Sequence, residues 1–193
     1  EALADMRLIA SEDPANDQAT TDLSTAYWRE GDLLLSEGRI AEGIHSLEET
    51  VSLRRQQYRG HPGSPTALRN YQVMLAHYAG ALAEKGEASA EVLRTFDEVI
   101  ALGGKAAAIM PSDVYVASGI ARAYGGKAEI AFKSGDRQRG AEWRQESLRR
   151  WQDVIQRAPL DIDLSAAAGK TQRRLAGFAS GTGNGGRNVG AGY

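Results

Sequence analysis

Apolar residues along this chain recur at steps of three, four and seven, and the recurrence is interrupted at regular places. Between Asn16 and Gly60, Leu23, Tyr27 and Leu34 mark one stripe, and Ile40, Ile44, Leu47 and Val51 mark a second. Steps of that size place side chains on one face of an α-helix. Gly38 separates the stripes inside a Glu37-Gly38-Arg39 turn, so the segment reads as two helices joined tightly. Two more such pairs follow. No stretch alternates apolar and polar residues with β-branched enrichment, so strands are not expected.

The interruptions form a ladder. Four of the five prolines, Pro14, Pro62, Pro111 and Pro159, are spaced 48, 49 and 48 residues apart. Gly38, Gly86 and Gly135 each follow a proline by 24 residues. A proline stops a helix because its ring and missing N–H do not fit the next turn. The double ladder therefore predicts units at about 15–62, 63–111 and 112–159, each a helix A and a helix B. Residues 1–14 align with the second half of a unit, so the chain is expected to open mid-repeat, as a piece of a longer protein. Residues 160–179 carry Leu164, Ala168, Leu175 and Phe178 on one face, with Lys170, Arg173 and Arg174 around the rest, the pattern of a capping helix. The expectation is seven helices and then a short cap. Residues 180–193 are rich in glycine and poor in apolar surface, and read as a flexible tail.

These pairs resemble the tetratricopeptide family. Its helix-A pattern of an aromatic, a small residue and a large one is matched by Tyr27, Gly31 and Leu34 in the first unit. Leu75, Ala79 and Leu82 match it in the second, and Tyr124, Ala128 and Ala131 in the third. Gly43 and Leu47 match the small and large positions of helix B. The small residues let helix A approach helix B closely. The family repeat is about 34 residues, whereas the step here is 48 or 49. Each helix is longer by about seven residues, or roughly two turns. The resemblance implies an all-α, right-handed α-solenoid, with three pairs and one helix at each end, that binds partner proteins. Long repeats of this kind also resemble those attached to some bacterial serine/threonine protein kinases. No kinase motif is present, so a catalytic domain would lie elsewhere in a parent chain.

Composition narrows the chemistry. The 193 residues carry 23 basic and 25 acidic side chains, a net charge of -2, which gives no support to a nucleic-acid or polybasic membrane partner. There is no cysteine, hence no disulfide, thiolate metal site or cysteine nucleophile. No apolar run approaches the ~18 residues of a membrane helix. These features fit a cytoplasmic fragment and equally the extracytoplasmic part of a membrane-anchored parent. Gly181, Gly183 and Gly186 match a dinucleotide-binding glycine pattern but lack the strand before and the helix after that the chemistry needs. Gly169-Lys170-Thr171 lacks the earlier glycine of a phosphate loop. His45, His61 and His77 have no second ligand at helical spacing, so no metal is expected. Glu48-Glu49 reads as a solvated pair. Arg137 to Arg157 holds six arginines among acids and reads as a salt-bridged outer helix. No catalytic residue and no cofactor is expected.

What remains is the surface made by the helix-A row. Projecting the repeat places Trp28, Asp32 and Leu35 on it, then Val73, Ala76, Gly80 and Glu84, then Arg122, Gly125, Glu129, Phe132 and Lys133. Trp28, Leu35 and Phe132 are large apolar groups flanked by charge, a pattern suited to anchoring a protein or peptide ligand. The family's carboxylate-gripping Lys and Asn are not matched on this face. Three functions are weighed: an interaction scaffold, a self-association or sensor module of a larger signalling protein, and a helical hydrolase or transferase. Clustered titratable groups would favour the third, and none is apparent. Leu3, Met6 and Ile9 or Ala10 form a strip expected to mediate weak self-association.

One pair of variants separates anchor from core. Surface anchors predict that Trp28→Ala and Phe132→Ala leave the melting temperature nearly unchanged while weakening partner binding at least tenfold. Core packing predicts a loss of about 3–5 kcal/mol for each. Thermal melts of the two variants read this directly.

Overall fold

The computed structural model describes residues 2–13, 16–86 and 89–179. They form eight helices: α1 (Ala2–Glu12), α2 (Asp17–Ser36), α3 (Ile40–Gly60), α4 (Pro65–Lys85), α5 (Ala90–Ile109), α6 (Val114–Lys133), α7 (Arg137–Arg157) and α8 (Ile162–Ala179). No strand occurs among the described residues. Pro14 and the tail expected to be flexible lie outside them. The last helix is not short: at 18 residues it nearly matches the 20 and 21 of its predecessors.

The ladder has a local cause at each rung. Two residues after each proline stands an N-cap: Asn16, Ser64, Asp113 and Asp161, again at steps of 48, 49 and 48. Each accepts a hydrogen bond from a backbone N–H of the first helical turn, of Ala19, Ala67, Val116 and Leu164 respectively. Such caps satisfy donors that the helix itself leaves open. Pro65 occupies the first turn of α4, where no N–H is required. At the glycine rungs φ is +79° (Gly38), +97° (Gly86) and +87° (Gly135), the left-handed region that suits glycine. At Gly38 the chain closes with Arg39 N–H donating to the Leu34 carbonyl, and at Gly135 with Asp136 N–H donating to that of Ala131. This is the Schellman ending.

Consecutive helices pack as antiparallel neighbours, and α4 also packs on α6, and α6 on α8. One core runs from Ile44 in α3 to Ile130 in α6 and includes the fully buried Phe96. A smaller cluster of Ala121, Trp151, Val154 and Leu164 joins α6, α7 and α8. Within a pair, close approach depends on small residues. A Cβ on Gly31 would lie 3.0 Å from Leu47 and 3.1 Å from the Gly43 carbonyl, and one on Gly43 would lie 2.8 Å from Leu35. Ala79 and Ala128, at the position of Gly31, have no exposed surface.

The repeat register exposes a second pairing. Leu35 of α2 lies over Gly43 of α3, and Phe132 of α6, at the same repeat position as Leu35, lies over Gly140 of α7. The middle unit inverts sizes at these positions, with Ala83 in place of the large residue and Val92 in place of the glycine, both 1% exposed. Hydrogen bonds repeat too. Thr50 Oγ1 donates to the Ser24 carbonyl, and Ser147 Oγ, 97 residues on, donates to that of Ala121.

Among the glycines the tightest approach between units is at Gly126, where an added Cβ would fall 2.1 Å from the Phe96 ring. Gly126→Ala is therefore expected to destabilise the fold by about 1–3 kcal/mol through overpacking. Gly104, on the exposed side of α5, has nothing within 4 Å of such a Cβ. Gly104→Ala should instead raise stability by about 0.5–1 kcal/mol by removing backbone freedom from a helix interior. Urea unfolding of both variants against the parent chain checks the pair.

Candidate binding site

Two cavities open on the face made by α2, α4, α6 and α8. The first, about 460 Å³, is lined among others by Asp32, Leu35, Gly80, Glu84, Glu129 and Lys170. The second, about 480 Å³, lies toward the helix N-termini and is lined among others by Trp28, Arg54, Arg69, Val73 and Tyr115. His77 and Arg122 line both and form the waist between them.

Most residues projected onto the helix-A face are found at these cavities. Asp32, Leu35, Ala76, Gly80, Glu84, Arg122, Gly125 and Glu129 line the first, and Trp28, Val73 and again Arg122 line the second. Phe132 and Lys133 line neither. Phe132 is half-buried and stacks on Phe178 of α8, ring centroids 5.8 Å apart. Lys133 pairs with Glu129 at 2.8 Å and donates to the Ala83 carbonyl. Trp28 is half-buried, packs on the main core and meets His77 edge-to-face at 5.9 Å.

Sequence reasoning missed the part played by α8. Lys170 and Arg174 reach past α6 to Glu84 on α4, Lys170 at 3.0 Å, and Arg174 also pairs with the buried Glu129. The helical pattern alone places both cations on the polar outside of a cap. Their one-turn spacing, with an unmatched Glu84 on the facing row, was the available signal. In the sequence His77 lacks a second ligand at helical spacing, and nothing local marks Arg54.

Charges in the cavities are unevenly satisfied. Arg69 pairs with Asp113 at 2.6 Å and lies over the Tyr115 ring. Arg54 is 9% exposed and donates only to neutral acceptors, on Thr21, Thr25 and Gln57. Arg122 lies over the Trp151 ring at 5.5 Å, and its Nε–H has no acceptor. Among the described residues no carboxylate is within 4 Å of either guanidinium. Loss of hydration pulls both below the ordinary arginine range, against distant acids: Asp22 for Arg54, Asp32 and Glu84 for Arg122. Much of Asp32 is exposed, yet the groove walls desolvate its carboxyl enough to hold it above the usual range, against the pull of Arg122, Trp28 and Lys170. The Trp28 N–H supplies part of that pull while falling short of hydrogen-bond geometry with any acceptor.

The remaining histidines are peripheral. His45 is exposed, and His61 approaches Asp17 at 2.8 Å on the surface. No group of three or more potential metal ligands occurs among the described residues. On α7, Glu146 takes Arg149 and Arg150, and Asp153 takes Arg157, a laced surface as expected. On α1, Leu3, Met6 and Ala10 are half-buried, whereas Leu8 and Ile9 are 58% and 55% exposed. No helix among the described residues is long and apolar enough to cross a membrane. The chain matches no protein-family model, and neither a curated protein nor a solved structure shows significant similarity to it.

Burial, aided by the Arg122 charge, lowers the His77 pKa to about 3, so the imidazole is neutral in the fold. The unfolded chain binds this proton with a pKa near 6.5. Between these values the unfolded state holds more protons, so stability falls as pH falls, by at most about 1.4 kcal/mol per pH unit. Asp32, shifted upward, acts with the opposite sign. His77→Gln should flatten the loss of stability between pH 6 and pH 4, read as the urea midpoint against pH for both proteins.

Proposed function

We propose that this chain is a non-catalytic protein-interaction module, a right-handed solenoid of tetratricopeptide-like pairs that holds a partner segment along its helix-A face. One observation carries the reading. The two cavities share His77 and Arg122 and are both walled by α2, α4, α6 and α8, which makes them parts of one trough. Its wall on α4 runs from Arg69 to Lys85, about 24 Å of helix. That length suits roughly seven residues of extended chain. Apolar groups such as Trp28, Val73 and Leu35 alternate along it with Asp32, Glu84 and Arg122, the mixture of anchor and charge by which peptides are seated.

A second reading has its own support: a self-association or sensor module of a larger signalling protein, such as a serine/threonine kinase. The adjacent exposed pair Leu8 and Ile9 on α1 gives a second copy an apolar contact. Concentration-dependent scattering from the parent chain, lost in a Leu8→Glu/Ile9→Glu variant, would favour it.

The trough reading is tested by blocking it. Gly80 lines the first cavity, and a Cβ there meets nothing within 4 Å. Peptides selected from a random display library against the whole chain should bind Gly80→Trp at least tenfold more weakly, with the melting temperature preserved. Gly104→Trp, on α5, should bind them as the parent does. Selected peptides that bind Gly80→Trp undiminished would place recognition elsewhere and end the proposal.

A further inference from the structure

Donors without acceptors gather in the walls of the second cavity. Six buried side-chain polar atoms among the described residues lack a hydrogen-bond partner, and three of them belong to residues lining this one cavity. They are Trp28 Nε1, Arg54 Nε and Arg122 Nε, all N–H donors. Burying such groups unpaired is costly, and more so for a cation. The cost is not imposed by the repeat. Where Arg122 stands in the third unit, the first two carry Thr25 and Val73. Where Arg54 stands, the others carry Gly103 and Trp151. Where Trp28 stands, the others carry Ala76 and Gly125. The fold thus accepts small or uncharged residues at all three positions, and only around this cavity are the three donors brought together.

The charges around the cavity give the sign of what would satisfy them. The cavity is lined by Arg54, Arg69, Arg122 and Asp163. Asp113 neutralises Arg69. Asp32 and Glu84 act on Arg122, and Asp22 on Arg54, only from beyond salt-bridge distance, so neither guanidinium has a carboxylate partner among the described residues and an anionic group would satisfy both. Trp28, Val73, Met74 and Tyr115 supply apolar and aromatic wall. The volume of about 480 Å³ is that of a small-molecule site.

We propose that this cavity binds a small organic monocarboxylate, with its carboxylate taken by Arg122, Arg54 and the Trp28 N–H and its apolar body held against Trp28, Met74 and Tyr115. Guanidinium groups recognise carboxylate by paired, charge-assisted hydrogen bonds. The site stands on the cavity alone and holds whether or not the trough seats a peptide. Its occupation would change the charge at the waist that both cavities share.

The test uses the whole chain and three probes, benzoate, 2-naphthoate and indole-3-carboxylate, each beside its neutral amide. At least one carboxylate should raise the melting temperature saturably and shift the Trp28 indole N–H resonance, with its amide at least tenfold weaker. Arg122→Met should bind that carboxylate at least tenfold more weakly, yet melt higher than the parent chain when no probe is present, because an unpaired buried cation has been removed. Arg54→Gln should weaken binding with Arg122 intact, and keeps the question decidable if Arg122→Met does not fold. Three outcomes would each overturn the proposal: no carboxylate binds, the amides bind as well as the acids, or Arg122→Met melts lower than the parent and so marks the guanidinium as structural.

Discussion

How closely the two helices of a unit approach each other decides most of what else this chain can do. At the crossing of α2 and α3, Gly31 and Gly43 face each other with no room for a methyl group on either. The large neighbours, Leu47 and Leu35, fill the space that the glycines leave. This intimacy holds helix A of the first unit hard against its own helix B. Dense packing transmits such placement with little slack. The trough, its waist and its charges inherit their positions from it.

The architecture was legible in the sequence because it is punctuated by residues with few alternatives. Proline stops a helix, and a left-handed turn favours glycine. Both recur in register, and the caps Asn16, Ser64, Asp113 and Asp161 keep the same step. The groove was legible to a lesser extent. A projection along one helix locates a face, and Asp32, Gly80, Glu84, Arg122 and Glu129 of that face line one cavity. The same projection does not tell a residue that looks into the cavity from one that leans on its own partner helix. Phe132 leans on Gly140 of its own partner helix and on Phe178, which is distant in sequence.

What the sequence concealed lies in interactions between units that are not neighbours in the chain. Glu84 and Arg174 are 90 residues apart, and no local pattern pairs them. The unsatisfied donors are hidden for a related reason. Trp28, Arg54 and Arg122 come from three different helices, each with an ordinary amphipathic pattern. Only their convergence is unusual, and convergence is a property of the packed molecule.

The inversion of sizes in the middle unit decides which parts of the chain could be exchanged. The first and third units pair a large helix-A residue with a glycine on helix B, Leu35 with Gly43 and Phe132 with Gly140, while the second sets Ala83 against Val92. Single helices are therefore not interchangeable between units. A helix A from the first unit joined to the second unit's helix B would drive Leu35 against Val92, and the reverse graft would leave a void between Ala83 and Gly43. At this crossing the unit of packing is the helix pair. An exchange of whole pairs keeps this contact intact, and a cut between helix A and helix B does not.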